Sequence, residues 1–186
     1  HAPMIMFERH KFHEETKGKH DKTHPDISWK MPYAPSSELN TSNSDMSDGR
    51  VDRDDIRDNK QDYLRLINAY RLDEEAALKS ASWGKFQIMG ANFAICGERT
   101  IKTFVEKMCR NEAGQIEMLA GFIRHNPRQW KNRKDKSLGK EISLWDAVKT
   151  KNWQAIAFNY NGPKYKKGKY DEKIKAAYEE YCKKSV

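Results

Sequence analysis

Apolar side chains recur at helical spacing along much of the chain, and this pattern limits the possible folds more than any other feature. Within each of four segments, apolar residues lie three or four positions apart, as one face of an α-helix requires. The four stripes are Ile56, Tyr63, Leu64, Ile67 and Tyr70; Ile101, Phe104, Val105 and Met108; Ile116, Leu119, Ala120 and Ile123; and Tyr170, Ile174, Ala177, Tyr178 and Tyr181. They predict a mainly α fold with about six helices.

Residues that favour helix ends lie at the borders of the predicted helices. The predicted N-caps are Asp73 for a helix over 74–82, Thr100 for the next, Ser143 with Asp146 for a short helix through Lys149, and Asn152 for "WQAIAFNY". The predicted stops are Asn126-Pro127 and Asn161-Gly162-Pro163. These borders predict short helices joined by short connections.

The opening stretch "PMIMFERHKF" alternates like a β-strand. One predicted face carries Met4, Met6, Glu8 and His10, and the other carries Ile5, Phe7, Arg9 and Lys11. The polar residues of "HEETKGKHDKTHPD" and of segment 34–49 predict loops. The expected class is therefore α+β, mainly α, with a small β element near the N-terminus. We expect residues 1–186 to form one domain, the C-terminal part of a longer protein.

Composition restricts the partners of the chain. Its 186 residues carry a net charge of +8, with 11% aromatic residues. A basic balance of this size indicates an anionic partner, such as nucleic acid, acidic lipid or a cell-wall polymer, and charge alone does not choose among them. The Lys-rich segments 131–140 and 164–169 are either solvated faces or sites of attraction to such a polymer, and we favour attraction for 164–169. No apolar run reaches the roughly 18 residues of a membrane span, and no signal-peptide pattern opens the chain.

Histidines and cysteines do not form a recognisable metal pattern. The histidines His10, His13, His20 and His24 are irregularly spaced among charged residues, so a solvated basic loop is favoured over a zinc site. The chain has three cysteines and no CxxC motif, which favours free thiols. No metal and no cofactor are predicted.

Two segments are not explained by local propensity. In "SASWGKFQIMG", Gly84 interrupts an aromatic run, and Gln87 requires partners if it is buried. This segment is either a buried helix start or a place where a ligand approaches. In "AFNYNGPKY", asparagines flank a tyrosine before a Gly-Pro stop. That segment is either a tight turn or a sugar-binding rim.

Together and in this order, the two segments resemble the paired signature of lysozyme-like muramidases. The similarity is closest to the N-acetylmuramidase domain of phage endolysins and of bacterial antagonism effectors, including type VI secretion effectors. It extends to "MFERHKF", "TFVEKMCRNEAGQIEMLAGFI", the "NW" before the second signature and "KYDEKIKAAY", and so to nearly the whole chain. The resemblance implies a lysozyme-like fold and hydrolysis of the β-1,4 bond between N-acetylmuramic acid and N-acetylglucosamine.

The resemblance also implies a carboxylic acid that protonates the leaving oxygen, and here the chain departs from the family. The family's usual acid lies in a Glu-Ser-x-Gly motif shortly before the "FERH" residues, whereas this chain contains no Glu-Ser dipeptide. Either the acid lies upstream of His1 or Glu8 is the key carboxylate. Glu8 is the expected catalytic residue within the chain, and its alternative role is a surface salt bridge. Fallback second carboxylates are Glu14, Glu15, Asp21 and Asp26.

The substrate-binding residues that the resemblance implies surround the same motifs. They are Arg9, His10, Ser82, Trp83, Gly84, Phe86, Gln87, Ile88, Asn159, Tyr160, Asn161, Gly162 and Tyr165. The implied partners are peptidoglycan strands and an immunity or delivery protein, with action in the periplasm or cell wall of the target bacterium. The alternatives are a non-catalytic wall-binding module of the same fold, a lytic transglycosylase, and a nucleic-acid-binding protein supported by charge and aromatic content alone.

Overall fold

The computed structural model describes residues 2–31, 59–130 and 141–184. The predicted loop 34–49, Ile56 and the basic segment 131–140 lie outside the described residues. The chain divides into two compact units, residues 1–119 and residues 120–186. The expectation of one domain over 1–186 stays a prediction.

The first unit combines helices with a three-stranded antiparallel sheet. Its elements are β1 (Ile5–Phe7), α1 (Arg9–Thr16), α2 (Asn59–Leu72), α3 (Glu74–Lys79), β2 (Ala81–Trp83), β3 (Ile88–Met89), a 3-10 turn (Gly90–Asn92), α4 (Ile101–Arg110) and the first half of α5 (Glu112–His125). The strand order is β1-β2-β3, with Ile5 opposite Trp83 and Trp83 opposite Ile88. All three of these side chains are at most 3% exposed, so the sheet buries one face in the core.

The second unit contains the end of α5 and a group of short elements. These are the paired strands β4 (Gln129–Trp130) and β5 (Ile142–Ser143), α6 (Leu144–Lys149), α7 (Trp153–Asn161), a 3-10 turn (Tyr165–Gly168) and α8 (Tyr170–Lys184). Its buried side chains come mainly from α6 and α7, including Leu144, Ala147, Ala155 and Ala157. No residue of α8 is fully buried, although its Tyr178 ring packs on Trp153 with centroids 5.2 Å apart.

Side-chain capping confirms the predicted helix starts. Asp73 accepts from the Ala76 N–H, Thr100 from Thr103, Ser143 from Asp146 and Asn152 from Ala155. Helix α7 ends at Asn161, followed by Gly162 at φ 86°, as the Gly-Pro stop predicts. These caps satisfy backbone N–H groups that have no partner within the helix.

The predicted strand over residues 3–12 is wrong beyond Phe7. Glu8 occupies the N-cap position of α1, so Arg9, His10 and Lys11 lie in that helix. Part of the predicted loop "HEETKGKHDKTHPD" is also helical, through Thr16. The predicted helix over 74–82 ends at Lys79, because Ala81–Trp83 pair with β1 instead. The strands β4 and β5 were not predicted.

Two predicted helical faces are also wrong, although both helices exist. In α2 the buried residues are Asp62, Leu66 and Ala69, while Leu64 and Ile67 are 53% and 46% exposed. In α5 the buried residues include Gln115 and Met118, whereas Ile116 is 51% exposed. Two polar residues that the predicted apolar faces did not include, Asp62 in α2 and Gln115 in α5, are buried. In α4, by contrast, Ile101, Phe104 and Met108 are buried as predicted.

Among the described residues, no helix is both long enough and apolar enough to cross a membrane.

Candidate active site

Glu8 lies at the junction between β1 and α1. Its backbone is extended, with φ −106° and ψ 98°, and its N–H donates to the Ser80 carbonyl over 2.9 Å. Its carbonyl accepts the first helical bonds, from the Lys11 and Phe12 N–H groups at 2.9 and 3.1 Å. The side chain makes no capping bond and is 28% exposed. Its backbone is therefore fixed by strand and helix, while its carboxylate is left available.

The Glu8 carboxylate lies beside His10. The Oε2 atom is 3.3 Å from His10 Nδ1, but this contact lacks hydrogen-bond geometry, and Nδ1 has no hydrogen-bond partner in the described part of the chain. Burial lowers the pKa of His10, and the nearby Glu8 charge opposes that effect only in part. The net direction favours an uncharged imidazole at neutral pH. Glu8 therefore lies beside a neutral ring rather than a permanent cation.

Arg9 is directed toward the segment that follows α1. Its Nη1 donates to the Pro25 carbonyl over 3.3 Å, and its own carbonyl accepts from the Trp29 N–H at 3.4 Å. Burial lowers the pKa of Arg9, and repulsion from Arg65 adds to this, while Asp26 opposes it. The contacts of Arg9 therefore hold residues 25–29 against α1.

The four fallback carboxylates differ in their surroundings. A hydrogen bond from Lys11, over 2.7 Å, lowers the pKa of Glu14. Asp21 accepts from Ser28 Oγ at 2.6 Å through one oxygen and lies 2.7 Å from His13 Nδ1 through the other. Glu15 lies 3.9 Å from Lys79 Nζ, and Asp26 is exposed. Because both Asp21 oxygens already have partners within the chain, the contacts of Asp21 indicate a structural role.

The first signature forms a β-hairpin, so the buried helix start, one of its two open interpretations, is wrong. The turn between β2 and β3 holds Gly84 at φ 72° and Gln87 at φ 50°. The Gly84 N–H donates to the Met4 carbonyl at 2.8 Å. A Cβ on Gly84 would lie 2.7 Å from Gln115 Oε1, so the close approach of Gln115 explains this glycine within the chain itself.

Gln115 supports this hairpin turn from α5. Its Oε1 accepts from the Lys85 N–H at 2.9 Å, and its Nε2 donates to the Met108 carbonyl at 3.1 Å. The side chain is buried, and its bond to the Met108 carbonyl is protected from water. The role of Gln115 could not be predicted from sequence, because no local pattern marks a glutamine that serves a turn 30 residues away.

The predicted substrate-binding residues of the hairpin differ in exposure. The strand residues Ser82, Trp83 and Ile88 are at most 3% exposed, and Trp83 Nε1 donates to the Leu78 carbonyl at 3.1 Å. Phe86 and Gln87 are half-buried at the turn, where Gln87 Nε2 donates to the Gly84 carbonyl at 2.8 Å. Only the turn residues therefore present side chains to solvent.

The second signature forms the end of α7. Asn159 is fully buried, and its Nδ2 donates to the Ile142 carbonyl at 2.9 Å, while its Oδ1 has no hydrogen-bond partner in the part of the chain described. Tyr160 is half-buried, with its ring edge-on to Phe122 at 5.4 Å. Asn161 is exposed and Gly162 is buried. The asparagines thus have different surroundings, one internal and one at the surface.

Arg128 and Asn126 support this segment, a role that the local sequence does not predict for either residue. Arg128 Nη1 donates to the carbonyls of Asn159 and Tyr160, both at 3.3 Å. Asn126 Nδ2 donates to the same Asn159 carbonyl at 3.3 Å. Carbonyls in the last turn of a helix lack intrahelical partners, so these donors complete the end of α7.

Histidine, cysteine and acidic side chains do not gather into a metal site within residues 2–31, 59–130 and 141–184, where no group of three could hold an ion. The thiols Cys96, Cys109 and Cys182 are free. Burial raises the pKa of Cys96 to about 12, so this thiol stays protonated and unreactive at neutral pH.

The fold has a counterpart among solved structures. It is similar to the crystal structure of the Burkholderia AP3 phage endolysin, with a TM-score of 0.65 and 25% sequence identity. The match covers 100% of this chain and 58% of that chain, so this chain spans little more than half the length of the endolysin. No curated protein matches the chain. The similarity defines the class as a mainly α, lysozyme-like fold.

The family model Muramidase, described as N-acetylmuramidase, matches residues 1–182. The chain therefore belongs to the N-acetylmuramidase family. This finding confirms the family predicted from the two signatures, and the structure confirms the predicted mainly α, lysozyme-like fold.

Proposed function

We propose that this chain cleaves the β-1,4 bond between N-acetylmuramic acid and N-acetylglucosamine in peptidoglycan. The observation that carries the proposal is the family match over residues 1–182, which leaves only the last four residues of the chain unmatched. The site of action would then be the cell wall or periplasm of a target bacterium. An immunity or delivery protein stays a prediction of the resemblance.

Glu8 is the proposed catalytic carboxylate. In its protonated form it would donate a proton to the oxygen that leaves with one sugar, and the sugar carbon would then react with water or with a second carboxylate. Three observations support this role: the rigid backbone at the β1–α1 junction, the 28% exposure of the side chain and the neighbouring His10 ring. A permanent cation beside the carboxylate would hold it in the charged form and oppose its action as an acid.

The two signatures are the proposed glycan-binding segments. At the hairpin turn, Phe86 and Gln87 would contact sugar rings and N-acetyl groups, and at the end of α7 Tyr160 and Asn161 would do the same. The buried members of the set would act by holding these residues in place. Those members are Ser82, Trp83, Gly84, Ile88, Asn159, Gly162 and Tyr165. Arg9 and His10 would shape the surroundings of Glu8.

The Glu8→Gln variant tests the catalytic assignment, because glutamine keeps the shape of the side chain and cannot act as an acid. We expect release of reducing ends from purified peptidoglycan to fall by about 10²–10⁴-fold, the usual contribution of a general acid. Glu106→Gln, which changes an exposed carboxylate on α4, serves as the matched control and should keep wild-type activity. Circular dichroism should show the same helix content for all three proteins. A Glu8→Gln variant that clears peptidoglycan at the wild-type rate would rule out the role.

A wall-binding module without catalysis is the second candidate. It would apply if Glu8 served only as a structural partner of His10, whose Nδ1 lies 3.3 Å from Glu8 Oε2. Mass spectrometry of digests by the wild-type chain separates the candidates: hydrolysis gives new reducing ends, a lytic transglycosylase gives 1,6-anhydro rings, and a binding module gives no products.

A further inference from the structure

The positive charge of the protein is concentrated in its second unit. Residues 120–186 hold 17 Lys and Arg against 7 Asp and Glu, whereas residues 1–119 hold 18 against 20. The net charge of +8 therefore arises entirely from the second unit. A localised excess of this kind marks a surface for an anionic partner.

Four lysines of this unit lie together in what we name the lysine turn, residues 164–169. Lys164, Lys166, Lys167 and Lys169 are all exposed, and none has a carboxylate within 4.0 Å in the described structure. Lysines of the first unit often differ in this respect: Lys85 and Lys102 each lie 2.6 Å from a glutamate oxygen. The ammonium groups of the lysine turn are therefore not neutralised by the fold.

The backbone of the lysine turn is well ordered by its own contacts. Tyr165 is only 5% exposed, its N–H donates to the Gly162 carbonyl at 3.1 Å, and its ring packs edge-on to Phe158 at 6.4 Å. The Lys167 N–H donates to the Lys164 carbonyl at 3.0 Å, and Lys169 closes the turn at φ 51°. The turn is therefore anchored directly to the end of α7 and presents its charges outward.

We propose that the lysine turn binds the carboxylates of the peptide stems that project from the glycan strands of peptidoglycan. This inference rests on the proposed function, since the turn begins two residues after Gly162, where the second glycan-binding segment ends. A stem of four or five residues extends about 13–18 Å from its sugar, which is enough to pass along the whole turn. The charges are complementary, and flexible lysines suit carboxylates that have no fixed orientation.

The same turn is poorly suited to nucleic acid. Binding of single strands requires exposed aromatic faces on which bases stack. The only aromatic residue of the lysine turn, Tyr165, is buried. The turn also contains no arginine, the residue that favours bidentate phosphate contacts.

A fourfold variant tests the proposal: Lys164→Gln, Lys166→Gln, Lys167→Gln and Lys169→Gln in the full chain. The matched control carries Lys17→Gln, Lys19→Gln, Lys22→Gln and Lys30→Gln. These four lysines are also exposed, none has a carboxylate within 4.0 Å in the described structure, and their replacement removes the same charge. Both sets include one lysine with positive φ, Lys169 and Lys17. Binding to insoluble sacculi is measured by co-sedimentation, together with release of reducing ends.

Four sacculus preparations and one nucleic acid identify the ligand. They are native sacculi, sacculi whose carboxylates are converted to amides, the same two preparations after extraction of phosphate-bearing polymers, and a short single-stranded DNA. We expect the fourfold variant to bind native sacculi about tenfold more weakly than the wild type, and the control to bind within twofold of it. The difference should disappear on amidated sacculi, persist after phosphate extraction and shrink at high salt.

Several outcomes would overturn the proposal. It is wrong if the fourfold variant binds native sacculi as the wild type does, if the difference persists on amidated sacculi, or if it disappears once phosphate polymers are extracted. A loss of DNA binding with unchanged sacculus binding would assign the turn to nucleic acid instead. Because these are binding measurements, they remain decisive even if the wild type releases no reducing ends, the result that would refute the proposed hydrolysis. The double variant Lys166→Gln with Lys167→Gln repeats the test if the fourfold variant does not fold.

Discussion

The two signature segments are held in place in different ways. The hairpin of the first unit depends on partners far away in sequence: Gly84 bonds to Met4, and Lys85 bonds to Gln115. The end of α7 in the second unit has several partners of both kinds: Gly162 bonds to Phe158 and Tyr165 to Gly162, while Asn126 and Arg128 both donate to the Asn159 carbonyl. A turn that depends on one remote side chain is sensitive to a single substitution, whereas a segment with several partners loses stability in smaller steps.

Among the substitutions that test this comparison, Gln115→Leu should cause the largest loss of stability. Leucine fills a similar volume but leaves the Lys85 N–H and the buried Met108 carbonyl without their partner. We expect a loss of about 2–3 kcal/mol in the free energy of unfolding, the usual cost of unpaired buried groups. Urea unfolding measures the loss, and faster amide exchange should be concentrated in residues 81–92.

The control for this substitution is Gln61→Leu, because Gln61 is exposed on α2. It should change stability by less than about 0.5 kcal/mol. If Gln115→Leu proved as stable as this control, the hairpin would not depend on the remote glutamine, and the contrast between the two segments would fail.

Asn152→Ala should have a smaller effect, because it removes one local contact of the second unit. The Asn152 side chain accepts from the Ala155 N–H at 3.1 Å and begins α7. Loss of such a cap costs about 1 kcal/mol. The Asn152→Asp variant keeps a capping oxygen and should remain close to the wild type. Equal destabilisation by both variants would show that capping is not the reason for the asparagine.

Distance along the chain explains which features could be predicted from sequence. The capping residues Asp73, Thr100, Ser143 and Asn152 act on backbone groups three residues away, so the local sequence contains the whole interaction. The hairpin was not predicted, because its pairing with β1 joins residues about 75 positions apart, which no local propensity records.

The candidate site shows the same limit. The resemblance marked both signatures, and Glu8 was chosen within the chain in place of the family's usual acid. The supporting roles of Gln115, Asn126 and Arg128 were not predicted, because each acts on a backbone group of another element. The faces of α2 and α5 were predicted from apolar residues alone, and both helices bury a polar residue instead. Burial of Asp62 and Gln115 is tolerable only with polar partners: Arg65, one turn along α2, lies 3.7 Å from Asp62, and Gln115 bonds to backbone groups of Lys85 and Met108.

The dependence of stability on pH should give the smallest effect, and it should arise mainly in the first unit. Burial lowers the pKa of both His10 and His20. The unfolded chain therefore binds protons more readily than the folded chain as the pH falls through about 6.5, the ordinary histidine value. This contribution to stability is fully present above that pH and is lost below it. The free energy of unfolding should consequently decline between about pH 7.5 and pH 5, before the carboxylates titrate.

Urea unfolding at several pH values across this window measures the slope. The double variant His10→Gln with His20→Gln should have a flatter profile than the wild type, whatever its absolute stability, because neither glutamine titrates. The Asn152→Ala variant is the control: it should lower the curve by a similar amount at every pH, since the asparagine cap carries no charge. A double variant with the wild-type slope would mean that the two buried rings do not create the pH dependence. In that case, the pH dependence of stability would have to arise from the carboxylates of the two units.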